Sequence, residues 1–522
     1  EHYYTAVHNS FELYHRTKDE QYLERGFYFS EKSKAMLLLT SLRENLAKVS
    51  NQIPDSLLKK QDYYKSEIAQ LKKTIYDLEQ NQVASDSIDI WRNICFKKEN
   101  ELDALTDNLK EKYPDFFKIK YNTQVATIEE IQAYLPDDNT ALVTYFFGGD
   151  WFPIIKITKN NIQSHFKPFD QKIKTRIRSL IDLVNDNQRA EAKGGDLKTY
   201  QTFVDQSSSI YQFLFAELIQ PTDEKLIIVP DGLTAFLPFE ILLNKSADST
   251  QINYTNLPYL LKDHTIRQAY SATLLLQQDN YKKNGQGLLA YAPQYVPAKN
   301  KILATRDGFT ALKFTQEEVA HIASVSNGIA LTKDKATERS FKEKAGDAKI
   351  LHLAMHAFSN DKNPDYSGLI FTKTLDSLED DILHAYELYN MNLKAELAVL
   401  SACNTGAGKL AKGEGVMSLA RAFRHAGCPN IVMSLWQADD EATAQIMQDF
   451  YKNLKAGVGK DDALRNAKLS YLASSPKTFP HYWSAFVLMG DGEGVDFGNT
   501  NWLWILGFVG VLLVIVFLIR RK

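Results

Sequence analysis

Apolar and aromatic positions recur at helical spacing through AVHNSFELYHRTKDEQYLERGFYFSEKSKAMLLLTSL, with small Ala6 and Ala35 among them. A helix pair of this kind cannot bury both of its faces alone, so residues 1–48 read as the last unit of a helical repeat array whose earlier repeats are missing. From 49 to 124 the pattern stays helical but is rich in lysine and glutamate, as in LLKKQDYYKSEIAQLKKTIYDLEQNQ. Ile68, Leu71, Ile75 and Leu78 recur every three or four residues, which predicts a helical hairpin with a solvated charged face. From about 125 the period changes. TALVTYFFGGDWFPIIKIT is a pair of β-rich runs around Gly148-Gly149-Asp150 and predicts a β-hairpin.

Two helices are expected near 169–187 and 198–218. Then KLIIVP, GLLAYAP, KILHLAM, ELAVLSA and NIVMSLW follow as short, nearly continuous apolar runs. Strands of that composition are buried on both faces, as in a mainly parallel sheet. Helices are expected between several of them, near 316–326, 336–345, 415–426, 440–456 and 461–473. The fold class read from the pattern is an α/β layered domain with a mainly parallel sheet, preceded by a helical repeat and hairpin region. A glycine-rich connector, GDGEGVDFGNT, leads to a stretch from Trp502 to Ile519 without a charged residue. That stretch is expected to be one transmembrane helix, with Trp502 and Trp504 at one interface and Arg520, Arg521 and Lys522 at the other. The expected localisation is the membrane. The basic tail points to a cytoplasmic C-terminus with the large domain outside, and tail-anchored insertion would give the reverse.

Composition narrows the partners. Of 522 residues, 24% are charged and the net charge is −3, so no basic field invites nucleic acid. Cys95, Cys403 and Cys428 are three cysteines with no CxxC or CxH pair, which fits neither a disulfide framework nor a zinc site.

VLSACNTGAGKLAKGEG poses the chemical question. As a phosphate loop it fails twice: Cys403 stands where the first glycine belongs, and Leu410 replaces the hydroxyl residue after Gly408-Lys409. As a nucleophile loop it is better placed. Cys403 follows the predicted strand ELAVLSA at its C-terminal end, where open α/β sheets carry their sites, and flanking N–H groups there can stabilise an oxyanion. His356 likewise ends KILHLAM. If the two strands are neighbours, an imidazole and a thiol meet above the sheet, which is what a Cys–His dyad requires. His352, four residues earlier, reads as a hydrogen-bonded core histidine. Leu353 replaces the glutamate of a zinc-protease HExxH, so no metal is expected.

LHLAMHA, LAVLSACNTGAG, GEGVMSLARAFRHAGCPNIVMSLWQADDEATAQIMQDFYKNL, ALRNAKLSYL, HYWSAFVLMGD, LIIVPDGLTAFLPFEILL and YSATLLL together resemble the CHAT domain, the caspase-like family in clan with caspases and separase, often found behind tetratricopeptide repeats. The resemblance covers about 125–491, and residues 1–48 look like the end of such a repeat array. It implies a caspase-type cysteine peptidase fold with His356 as general base and Cys403 as nucleophile. The backbone N–H groups of Ala357 and Cys403 would form the oxyanion hole. Members usually carry glycine after the histidine, and Ala357 keeps the N–H while tolerating fewer backbone angles. Asp440 in SLWQADD matches the position of an aspartate that binds a basic P1 side chain in separase, and Asp439 is adjacent. Capping of the following helix explains both acids equally well.

The expected organisation is a repeat end at 1–48, a hairpin or linker at 49–124, the CHAT domain at 125–491, a linker at 492–501, a transmembrane helix at 502–519 and a basic tail at 520–522. The expected function is a membrane-anchored cysteine endopeptidase acting on a protein or peptide, needing no cofactor or metal, with a regulatory protein partner on its helical repeats and no nucleic acid. The rival expectation is a non-catalytic scaffold for protein partners.

Overall fold

The computed structural model describes residues 2–34, 53–80, 85–114, 124–186, 196–277, 284–295, 312–358, 360, 363–374, 380–401 and 415–497. The first two helices are α1 (His2–Thr17) and α2 (Glu20–Lys34), reversed at Lys18, whose φ is +60°. They close tightly because α2 carries Gly26, where a Cβ would sit 2.8 Å from the Phe11 ring. A hairpin follows, α3 (Asp55–Gln80) and α4 (Ser85–Lys112), as the three-to-four spacing of its apolar residues predicts.

The rest is built on an eleven-stranded sheet. Its strands are β1 (Thr140–Tyr145), β2 (Trp151–Ile157), β3 (Ile162–Pro168), β4 (Lys225–Val229), β5 (Thr265–Gln268), β6 (Gln286–Ala292), β7 (Ile329–Thr332), β8 (Ala348–Leu353), β12 (Leu397–Leu400), β13 (Asn430–Ser434) and β14 (Phe486–Met489). A separate small antiparallel sheet holds β9 (Ala357–Phe358), β10 (Gly368–Ile370) and β11 (Ile382–His384) in the order β11-β10-β9. The large sheet runs β3-β2-β1-β4-β5-β14-β13-β12-β8-β6-β7. The expected hairpin at Gly148-Gly149-Asp150 is the antiparallel β1–β2 pair, with Gly149 at φ +65° in the turn.

The sheet has two parallel halves. β1, β4, β5 and β14 run together, and so do β13, β12, β8, β6 and β7. They meet at the antiparallel pair β13–β14, so the C-terminal edges of the two halves face opposite ways. The sequence reading names β4, β6, β8, β12 and β13, and omits the short parallel strands β5 and β7 and also β14, the strand that joins the halves.

Alternation along β1 shows how the sheet is covered. Ala141, Val143 and Tyr145 face a core with α5 (Gln171–Asn185) and α6 (Leu197–Leu214), whereas Leu142 faces Val7, Phe11, Leu23 and Phe27 of α1 and α2. The helix pair thus buries its apolar stripe on the sheet. The other half is layered by α7 (Thr315–Ser326), α8 (Gly415–His425) and α9 (Asp440–Lys455), while α10 (Lys460–Ser474) packs on α9 and reaches back over β5 and β14 of the first half.

One part of the expected fold class needs correction. Among the described residues no helix is long and apolar enough to cross a membrane. The helices form through amphipathic packing on the sheet and on each other, and each keeps a polar face. The described fold is therefore a helix pair, a helical hairpin and an α/β layered domain, without the transmembrane helix on which the membrane localisation and membrane partner were expected. The stretch 502–519 lies outside the described residues.

Candidate functional site

β8 and β12 are neighbours in the sheet, parallel, with Leu353 opposite Leu400. The ladder continues by one bond, from the Ser401 N–H to the Leu353 carbonyl at 3.0 Å. His356 is the third residue past Leu353, and Cys403 is the third residue past Leu400. The two chains thus leave one edge of the sheet side by side. Cys403 and its loop, 402–414, lie outside the described residues.

His356 is 4% exposed and stands at the start of the small sheet. Its N–H donates to Tyr295 Oη at 3.0 Å, Tyr295 Oη donates to the Ile370 carbonyl at 2.8 Å, and the Ile370 N–H donates to the His356 carbonyl at 2.9 Å. The Tyr295 ring packs on the imidazole with centroids 4.7 Å apart.

Ala357 pairs across from Leu369. Because the His356 carbonyl bonds to Ile370, residues 357 and 369 form the non-bonded pair of the ladder, and Ala357 directs its N–H away from β10. Among the described residues β9 is the outer strand of the small sheet, so that N–H points to the side away from β10, although Ala357 itself is fully buried. Ala357 is not among the positive-φ residues, so the alanine occupies this position without the strain that a glycine-only conformation would impose.

Beneath the edge lies a buried polar network that the sequence reading does not name. Glu318, 1% exposed on α7, accepts from Ser401 Oγ at 2.6 Å and faces His352 Nε2 at 2.9 Å. His352 Nδ1 faces Tyr451 Oη at 3.2 Å. His352 is fully buried with both ring nitrogens occupied, a hydrogen-bonded core histidine rather than a ligand. Glu318 ties the strand of His356 to that of Cys403 from below. The signal available in the sequence is a glutamate on the inward stripe of an amphipathic helix, with Val319, Ile322 and Ala323 beside it.

The two aspartates separate. Asp439 is the N-cap of α9: its carboxylate accepts from the Ala442 N–H at 2.9 Å, and Lys477 lies 3.4 Å away. Asp440 opens the helix, half-buried, and accepts from the Lys313 N–H at 3.2 Å. Burial pushes its carboxyl up, the Lys313 hydrogen bond opposes, and the nearby Asp439 and Glu318 carboxylates add to the rise. Burial also raises the other two thiols, Cys428 to about 12 and Cys95 less far. Among the described residues no group of three or more His, Cys, Asp or Glu could hold a metal ion.

Comparison with known proteins then bears on the reading. A family model for the CHAT domain matches residues 205–491, more than half of the chain. Tetratricopeptide repeat protein 28 of Homo sapiens is 29% identical over 113 residues, which is 22% of this chain and 4% of that protein. Its Mus musculus counterpart is 28% identical over 113 residues, 22% of this chain and 5% of that protein. The chain therefore spans only a small fraction of the length of the curated relatives it matches. Among solved structures, the Saccharomyces cerevisiae separase–securin complex has a TM-score of 0.40 at 10% identity, over 90% of this chain and 41% of that one. The Arg-specific cysteine proteinase gingipain R has a TM-score of 0.34 at 11% identity, over 62% of this chain and 76% of that one. Both scores are too low to transfer anything from those proteins to this one. The family match stands by itself: with its motifs in order along the sheet, the chain belongs to the CHAT domain family, the caspase-like family preceded here by tetratricopeptide-type helices.

Proposed function

We propose that the chain is a cysteine endopeptidase working through a Cys403–His356 dyad. The observation that supports the reading is the β8–β12 pairing, which sets the C-terminal ends of the two strands side by side, with His356 and Cys403 each three residues further along the sequence. His356 takes the proton from the Cys403 thiol, and the thiolate attacks the scissile carbonyl. The negative oxygen that forms accepts from the N–H groups of Ala357 and Cys403. Collapse of that intermediate expels the amine, to which His356 returns the proton, and water then cleaves the thioester. Asp440 is the acid that would select a basic P1 side chain, because it is not spent on capping, whereas Asp439 is. The N-terminal helices recruit a regulatory protein partner or restrain the site.

The test uses the chain and its Cys403→Ala counterpart on a peptide library, with cleavage sites read by mass spectrometry. Cuts made by the first and missing from the second support the peptidase, and Arg or Lys at P1 supports Asp440. Equal silence, together with Cys403 reacting no faster than Cys95 and Cys428 with a thiol alkylator, sinks it and leaves a scaffold.

A further inference from the structure

We infer that Tyr295 is a positioning residue for His356, acting as a hydroxyl bridge wedged between β9 and β10 that fixes both the backbone and the ring of the histidine. This rests on the dyad reading above. In a regular antiparallel ladder, a residue that accepts from its partner's N–H also donates its own N–H to that partner's carbonyl. The Ile370 N–H does donate to the His356 carbonyl at 2.9 Å. The return bond is replaced: the His356 N–H goes to Tyr295 Oη at 3.0 Å, and Tyr295 Oη goes on to the Ile370 carbonyl at 2.8 Å. One hydroxyl oxygen therefore stands where two strands would otherwise touch, and β9 splays from β10 at the histidine.

The bridge has a direction. The Tyr295 hydrogen is committed to the Ile370 carbonyl, so the oxygen receives the His356 N–H and the relay cannot reverse. Burial raises the tyrosine hydroxyl far above its ordinary range, with the His356 hydrogen bond opposing, which keeps it a donor through neutral pH. The same side chain lays its ring on the imidazole at 4.7 Å, tilted by 56°, which restricts the rotamers open to His356. Tyr295 can reach both because it lies three residues beyond β6, the neighbour of β8 on the side away from β12. The strand that follows His356 is only two residues long, so little else in the small sheet sets the direction of the histidine.

The experiment compares wild type, Tyr295→Phe, Tyr295→Leu and His356→Ala as full chains. The rate of iodoacetamide alkylation at Cys403 is followed by mass spectrometry across the pH range around neutrality, with thermal unfolding alongside. Tyr295→Phe keeps the ring and cuts the bridge, letting β9 and β10 close into a direct bond. It should slow Cys403 alkylation at neutral pH by about tenfold or more, the scale of a small misplacement in a catalytic pair. Its pH midpoint should move in the same direction as that of His356→Ala, with the unfolding temperature kept. Tyr295→Leu should move further. A wild-type profile for Tyr295→Phe beside a shifted one for His356→Ala overturns the inference and leaves the dyad standing. An unshifted His356→Ala removes the dyad, and the role of Tyr295 with it. Lost alkylation selectivity, with Cys428 reacting too, shows a merely structural tyrosine and also overturns it.

Discussion

The two halves of the sheet are built alike and end differently. At the C-terminal edge of β1, β4 and β5, the polar groups are turned inward onto the chain's own helices. Lys34 of α2 bonds to Thr144 Oγ1 at the end of β1. Glu31, fully buried, accepts from the N–H and hydroxyl of Thr273, each at 2.8 Å. Asp231, after β4, accepts from the Phe147 N–H at 2.7 Å. Burial pushes Lys34 down and Asp231 up, while each opposes the other's shift as a counter-charge. At the opposite edge, after β8 and β12, Ala357 directs its N–H away from β10, and the preceding His356 packs its ring against Tyr295. A strand's C-terminal end is thus an opportunity rather than a function. One edge is used to seat the N-terminal helices, and the other holds the proposed chemistry.

The largest expected effect falls on the second edge alone. Cys403→Ala and His356→Ala should each lower peptide cleavage by about a thousandfold or more, because members of a catalytic unit fail together. The double variant should be no worse than either single one. Both should unfold at the wild-type temperature to within a few degrees. Additive losses in the double variant would break the dyad.

Next comes the floor of that edge. Glu318→Ala strands the His352 imidazole and the Ser401 hydroxyl in a dry interior. Two stranded groups should cost about 2–4 kcal/mol of stability, read by chemical denaturation. Glu318→Gln, which can still bond to both, should cost less. Equal costs would mean that the charge, not the bonding, is what the network needs.

How much of this was legible beforehand depended on whether the signal was local. The hairpin at Gly148-Gly149, the buried parallel strands and the helices between them follow from period and turn chemistry, which neighbouring residues set. The strands that precede His356 and Cys403 were legible because each is a continuous apolar run, and the pairing of those two strands is what the proposed dyad rests on. β14 was missed as the joining strand because Phe486–Met489 is four residues long and reads equally as buried helix or strand. Glu318 and Tyr295 were missed for another reason. Their partners lie 34 and 61 residues away, and no spacing rule reports a contact that exists only after the sheet is assembled. The membrane helix was a reading of hydropathy alone, and no described helix carries it.

The first edge should respond separately. Lys34→Met removes the bond to Thr144 and the cation beside Asp231 and Glu31. It should destabilise the seating of α1 and α2 by about 1–3 kcal/mol, the cost of a buried polar group left without its partner. Hydrogen exchange in His2–Thr17 and Glu20–Lys34 should quicken while Cys403 alkylation stays at the wild-type rate. Slowed alkylation would show that the two edges are coupled through the sheet, and the contrast between them would fail.

The smallest effect tests whether the hairpin belongs to the second edge. Lys73 of α3 lies 3.1 Å from Asp380, and His384 Nε2 lies 3.7 Å from the same carboxylate, while His384 Nδ1 donates to the Tyr366 carbonyl at 3.0 Å. The link therefore joins α3 to β11, two strands from Ala357. Burial works to raise the Asp380 carboxyl, but the His384 hydrogen bond and the Lys73 charge win and hold it at about 2, below its ordinary 3.8. A depressed carboxylate contributes stability above its unfolded value and loses it as pH falls through the folded one. Asp380→Asn should therefore cost about 1 kcal/mol near pH 6, and the gap from wild type should close between about pH 4 and pH 2. Comparing variant with wild type at each pH cancels the other carboxylates that titrate in that window. A gap that persists at about pH 2 would mean that Asp380 acts by packing and not by charge, and the hairpin would then rest on the small sheet without an electrostatic hold.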